Sequence, residues 1–243
     1  MASGWAVFYF MVGAIEVTGE VLRNEVLCVT TKPLLMITLF IYYITSIGKI
    51  DGKDKLMLTA IAFSWVGDVA LMFASSPLSE TSPSVIPKHP NFFLLGLSGF
   101  LITQILYCIL FTKVSYRKPP ILKSKPWVAA PLLIFTCLFL YILLPAIYRN
   151  EAIKPILIPV LIYALVISLM VLMAINRYGR VNHRSFLAVL TGAVMFMCSD
   201  SIIAYSRFIS YFNASGVYIM VLYIIAQYLI TSGIIAQKRD NPV

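Results

Sequence analysis

Charged side chains are scarce in this chain: Asp, Glu, Lys and Arg make up 12% of it, against 60% hydrophobic residues. A soluble domain carries about 25% charged residues, and a fold of 243 residues has too little interior to hide so much apolar surface. A water-soluble fold is excluded. Histidine is scarcer still. His89 and His183 fall in different loops, whereas a zinc site of the His₂ or His₃ kind needs its ligands together. Cys28, Cys108, Cys137 and Cys198 are scattered without a CxxC pair. They read as small packing residues, with neither metal spacing nor a disulfide framework. No GxSxG occurs and no histidine stands near an acid in an apolar run, so serine nucleophile chemistry has no support. The N-terminus lacks a basic n-region and its first apolar run is long enough to span, so no cleavable signal is expected. The net charge of +9 does not indicate nucleic-acid binding. The basic residues sit in short loops, where they orient helices and meet anionic lipid.

What is present is a series of long apolar runs. About 20 apolar residues cross a bilayer, and eight crossings are predicted, near 3–22, 31–48, 55–74, 92–113, 126–148, 153–175, 185–207 and 215–236. Breakers separate them: Asp51-Gly-Lys-Asp54, then Pro77, Pro83, Pro87 and Pro90, then Pro119-Pro120, then Arg177-Tyr-Gly-Arg180. Continuous runs of this length exclude a β-barrel, whose segments alternate over about ten residues. The fold class is an all-α bundle in one transmembrane domain. Thirteen basic residues flank one side and six the other, which places both termini in the cytosol. In a eukaryotic cell the expected location is the endoplasmic reticulum or another endomembrane. The sequon Asn213-Ala-Ser215 lies close to the membrane on the outer side. Lys32-Pro33-Leu34 and Lys154-Pro155-Ile156, Asp68 and Asp200, and Gln104 and Gln227 each recur four segments apart, as in a parallel four-plus-four repeat.

Two acids stand inside apolar runs: Asp68 in Phe63-Ser-Trp-Val-Gly-Asp68 and Asp200 in Gly192-Ala-Val-Met-Phe-Met-Cys-Ser-Asp200. A charge inside a bilayer costs about 2.5–3.5 kcal/mol on insertion scales, so such residues face one another, water or a substrate. Their helices run the same way, and a rise of 1.5 Å per residue puts Asp68 about 9 Å and Asp200 about 10 Å from the outer helix end. They share a level, and meet if the helices are neighbours. Other polar residues sit at helical spacing: Ser64 one turn before Asp68, Gln104 with Tyr107, and Tyr223 with Gln227 and Thr231. Lys32 marks the mouth of the second segment. Glu16 and Glu20 sit on the first, either as a carboxylate pair near the interface with one member neutralised by Arg23 a turn on, or as a third acid at the cavity. Together these predict a polar cavity, although each polar stripe also serves as interhelical glue.

The ordered set Lys32-Pro33-Leu34, Phe63-Ser-Trp-Val-Gly-Asp68, Leu95-Gly-Leu97 with Phe100 and Tyr107, Gly192-Ala193 with Phe196 and Ser199-Asp200, and Tyr223 with Ala226-Gln227 resembles the lysoplasmalogenase family of eight-span membrane hydrolases, over roughly residues 25–236. The resemblance implies cleavage of the vinyl ether bond of a lysoplasmalogen, a lysophospholipid drawn from the bilayer, to a fatty aldehyde and glycerophosphocholine or glycerophosphoethanolamine. The family's two motif aspartates fall on Asp68 and Asp200. One departure is Gln104, where the family often has histidine; glutamine hydrogen-bonds but carries no proton at neutral pH. Vinyl ether hydrolysis needs a proton on carbon and then water, and neither metal nor cofactor is expected. One aspartic acid gives the proton and the other, ionised, stabilises the cation and activates water, in an order left open. Lys32 is placed to hold phosphate. The same acids also suit a proton-coupled transporter, or a non-catalytic lipid-binding protein held together by its polar residues.

Overall fold

The computed structural model describes residues 2–74, 90–116, 118–151 and 153–240. Pro77, Pro83, Pro87, Lys88, His89 and Arg117 lie outside the described residues. The described residues form nine α-helices: α1 (Ala2–Leu22), α2 (Glu25–Ser46), α3 (Gly52–Ala74), α4 (Pro90–Thr112), the single-turn α5 (Ile121–Ser124), α6 (Ala130–Tyr148), α7 (Leu157–Ile175), α8 (His183–Phe208) and α9 (Ser215–Asp240). All but α5 belong to stretches long and apolar enough to cross a membrane, eight in total. The chain is a multi-pass, all-α membrane protein.

Several helix ends depart from the sequence reading, and two of them have a visible cause. The second span begins at Glu25, not at residue 31, and carries Pro33 inside it. Asn24 is the reason: its side chain accepts from the amide of Leu27 at 3.2 Å and caps the helix about two turns before the proline. The last span runs on to Asp240 because its end is tied down. Asp51 caps α3 by accepting from the amides of Lys53 (2.7 Å) and Asp54 (3.0 Å), and Asp54 accepts from the Asp51 amide at 2.7 Å. This reciprocal capping box puts the Asp54 carboxylate inside the protein, where Tyr43 donates to it at 2.7 Å and Lys238 of α9 pairs with it.

Lys238→Met strands that buried carboxylate without a counter-ion. Its expected cost is about 3 kcal/mol or more, read as a lower melting temperature in detergent. Burial opposes ionisation of Asp51, but the amides of Asp54 and Lys53 and the Lys238 ammonium outweigh it and hold the carboxyl below the usual range. Such a group stabilises the fold fully above its unfolded value, about pH 4, and less as pH falls through its lower folded value. The melting temperature should therefore drop below about pH 4, and by less in Lys238→Met.

Side-by-side packing sets the plan. Helix α3 packs on α2 and α4, α4 on α7, α7 on α8, α8 on α9, and α9 back on α2. Six helices thus close a ring, with α1 outside against α2 and α9, and α6 outside against α7 and α8. The adjacencies repeat after four spans: α2–α3–α4 corresponds to α7–α8–α9, and the two seams α4–α7 and α9–α2 close the ring. Helices α3 and α8 are not packed as neighbours; they face one another across the ring. Close approach of α3 and α4 needs Gly99, where an added Cβ would fall 2.9 Å from the Gly67 nitrogen and 3.0 Å from the Phe63 carbonyl oxygen.

One end of the ring is filled. Arg177, read from sequence as a loop cation, is fully buried there. Its guanidinium donates to Ser185 Oγ (2.7 Å) and Gln237 Oε1 (3.0 Å) and lies 5.5 Å from the Phe111 ring centre. Burial pushes its pKa down to about 10, so it stays charged at neutral pH. The C-terminal ends of α4, α7 and α9 lie beside it and their dipoles favour a cation, which offsets the opposing start of α8 where Ser185 stands. His183 opens α8 at the surface, apart from both acids.

Candidate active site

At the other end the ring opens into a cavity of about 240 Å³. Its wall is made by α1, α2 and the turn between them (Glu20, Lys32 and Arg23), the C-terminal turns of α3 and α8 (Asp68, Leu71, Ser199, Asp200, Ile203 and Arg207), and the start of α9 (Ser215 to Tyr223). Phe100, Phe196 and Tyr223 pack edge to face, with ring centres 5.7–6.1 Å apart, and form a rigid floor. Asp68 and Asp200 both reach the cavity.

Each acid has its own set of donors. Tyr223 of α9 donates to Asp68 Oδ2 at 2.8 Å across the ring. Behind it, Gln227 donates to Ser64 Oγ (3.0 Å) and accepts from Tyr107 (2.7 Å), while Ser64 donates to Thr103 (3.1 Å). Asp200 accepts from Gln104 Nε2 at 3.1 Å and from Tyr163 of α7 in a short hydrogen bond. The polar residues foreseen from helical spacing are thereby divided. Ser64, Tyr107, Tyr223 and Gln227 join the Asp68 network, whereas Gln104 serves Asp200 although it shares α4 with Tyr107. Ser199 instead donates to the Ile219 carbonyl at 3.0 Å and fastens α8 to α9. Thr231, third member of the α9 stripe, is buried but outside both networks.

Glu16 and Glu20 form a third cluster. Arg23 is not their partner. Lys32, about two turns into α2 and facing α1, lies 3.4 Å from Glu16 Oε1 and 3.5 Å from Glu20 Oε1. Thr31 makes a short hydrogen bond to the other Glu16 oxygen. Arg23 sits in the turn itself with φ 52°, a left-handed conformation that costs a non-glycine residue about 1 kcal/mol or more. Glu16, Glu20 and Cys28 could group around a cation, but the Lys32 ammonium already sits against both carboxylates.

Tyr163 was not foreseen. Its signal was present: it is the one aromatic hydroxyl in the most apolar span, Lys154–Ile175, mean hydropathy 2.9. Its target, Asp200, does not touch the polar cavity alone. Asp200 also borders two small apolar crevices, one of about 60 Å³ between α4, α7 and α8 (Leu97, Val160, Ala204) and one of about 50 Å³ between α6, α7 and α8 (Phe139, Val160, Ala164). It stands where polar and apolar space meet.

Ring, cavity and acids define a polytopic membrane protein with a carboxylate-lined pocket at one end of its bundle. The chain belongs to the YhhN family, whose model it matches over residues 27–234; that family includes lysoplasmalogenases. No curated protein and no solved structure matches the chain.

Proposed function

We propose that this protein is an ether hydrolase that cleaves the vinyl ether bond of a lysoplasmalogen with Asp200 and Asp68 as its acid and base. One observation carries the reading. A vinyl ether joins an apolar chain to a polar glycerol head, and Asp200 occupies that same kind of boundary, with apolar crevices on one side and Asp68 across the polar cavity.

We assign the roles from the same boundary. In R–CH=CH–O–R′ the carbon that takes the proton lies on the chain side of the oxygen. Asp200, which borders the crevices, donates that proton, and the double-bond electrons form the new C–H bond. The resulting oxocarbenium ion is stabilised by the Asp68 carboxylate from the head side. Water adds to the cationic carbon and loses a proton to Asp68. The hemiacetal then returns its hydroxyl proton to Asp200, Asp68 protonates the departing glycerol oxygen, and the C–O bond breaks. One water is consumed, and a fatty aldehyde and a glycerophospho-alcohol leave. Each acid–base role is typically worth about 10²–10⁴ in rate. The opposite end of the ring is filled around Tyr107, Phe111 and Arg177, which favours hydrolysis over transport with the same acids.

The test is aldehyde release from the purified protein given a lysoplasmalogen. In D₂O the aldehyde should carry one new deuterium on the carbon next to the carbonyl. No aldehyde, together with solute uptake into vesicles driven by a pH gradient, would replace this reading with a transporter.

In this scheme Tyr163 and Gln104 are positioning residues that aim Asp200. A hydrogen bond to a charged group is worth about 1.5–3 kcal/mol, so Tyr163→Phe should lower kcat by about 10- to 100-fold. KM should change little, and Gln104→Leu should act in the same direction. An unchanged kcat in Tyr163→Phe would show that Asp200 needs no such support.

A further inference from the structure

The cavity is small for a whole lipid. Pockets that enclose drug-sized ligands run from about 300 to 1,000 Å³, and this one is about 240 Å³. It has room for a polar head, with the chain leaving through the crevices beside Asp200. Its wall carries both signs of charge. On the α1 side two carboxylates share the single ammonium of Lys32. Glu16 is fully buried and bound by Thr31, so Glu20, 12% exposed, is the member that presents charge to the cavity. Arg23 and Arg207 line the same cavity, and Arg207 lies 5.9 Å from the ring centre of Phe93, another lining residue. The first turn of α9 closes over the Glu20 carboxylate: a Cβ added at Gly216 would collide with Glu20 Oε2. Only glycine lets the acid lie there.

We infer that the mouth of the cavity is a headgroup subsite for a zwitterionic lysophospholipid, in which Glu20 receives the amine and Arg23 and Arg207 face the phosphate. A phosphate without an amine would meet Glu20 with only a shared Lys32 ammonium to offset it, whereas an amine linked to a phosphate satisfies both walls. Lys32, taken from sequence as a phosphate ligand, serves instead to hold Glu20 in place. The inference rests on the hydrolase reading for the kind of lipid, and Glu20 decides which heads are accepted.

Binding separates the two. The probes are non-cleavable 1-O-alkyl ethers of glycerophosphoethanolamine and of glycerophosphate, the second lacking the amine, titrated into the purified full chain in detergent. Wild type should bind the zwitterion at least about tenfold more tightly. Glu20→Gln removes the charge, and Gly216→Ala keeps the charge but pushes the flexible carboxylate aside. Each should erase most of that preference, about tenfold, by weakening the zwitterion and leaving the amine-free probe as it was or tighter. Melting curves establish that both variants are folded. A preference unchanged in both variants overturns the subsite, as does a wild type that binds both probes alike. If the preference behaves as expected but wild type releases no aldehyde from an alkenyl substrate, the subsite stands and the hydrolase reading falls. If aldehyde is released at rates indifferent to the amine and to Glu20, the hydrolase stands and the subsite falls.

Discussion

Asp200→Asn should lower aldehyde release by about three orders of magnitude, within the 10²–10⁴ that a positioned acid supplies and towards its upper part. Carbon protonation is the difficult step of vinyl ether hydrolysis, and an amide has no proton to give. The variant keeps the volume of the side chain, and Tyr163 can still donate to an amide oxygen where it now donates to Asp200. The melting temperature should therefore stay near that of wild type. If Asp200 were interhelical glue, the pattern would reverse, with a lower melting temperature and no reaction to lose. Normal turnover in the purified variant would remove Asp200 from the chemistry.

Asp68→Asn should lower turnover by about 10²-fold or more, and it should do so with a different signature. Asp200 can still protonate the alkenyl carbon, but the cation lacks its stabilising carboxylate and water lacks a base. The proton transfer becomes reversible. In D₂O, substrate recovered from the Asp68→Asn reaction should carry deuterium on its vinyl carbon, and substrate recovered from Asp200→Asn should carry none. The opposite distribution would exchange the two roles. Tyr223, which donates to Asp68 at 2.8 Å, should remain in place in this variant because asparagine offers it an oxygen of the same reach.

The two acids were legible because a carboxylate in an apolar run is costly wherever the chain later folds. Their meeting was not legible. The sequence reading made it conditional on α3 and α8 being neighbours, and they are not. They meet because six helices close a ring and both acids point inward from opposite sides. The same distinction explains the charged residues of α1 and α2. Spacing along one helix suggested Arg23 as the partner of one of Glu16 and Glu20, yet the ammonium that reaches both comes from Lys32 on the next helix. Gln104 and Tyr107 looked like a pair at i and i+3, but their targets stand on different helices, Asp200 on α8 and Gln227 on α9.

By itself the sequence determined that this chain spans a membrane eight times and that two acids lie within its spans, because apolar length and the cost of a buried charge are properties of a segment alone. Only the tertiary structure decided which polar groups serve which acid, that Tyr163 takes part, and that Asp200 stands between polar and apolar space. Those facts depend on helices far apart in the chain coming side by side, with 155 residues between Asp68 and Tyr223 and 96 between Gln104 and Asp200. The period of a single helix does not record what will pack against it.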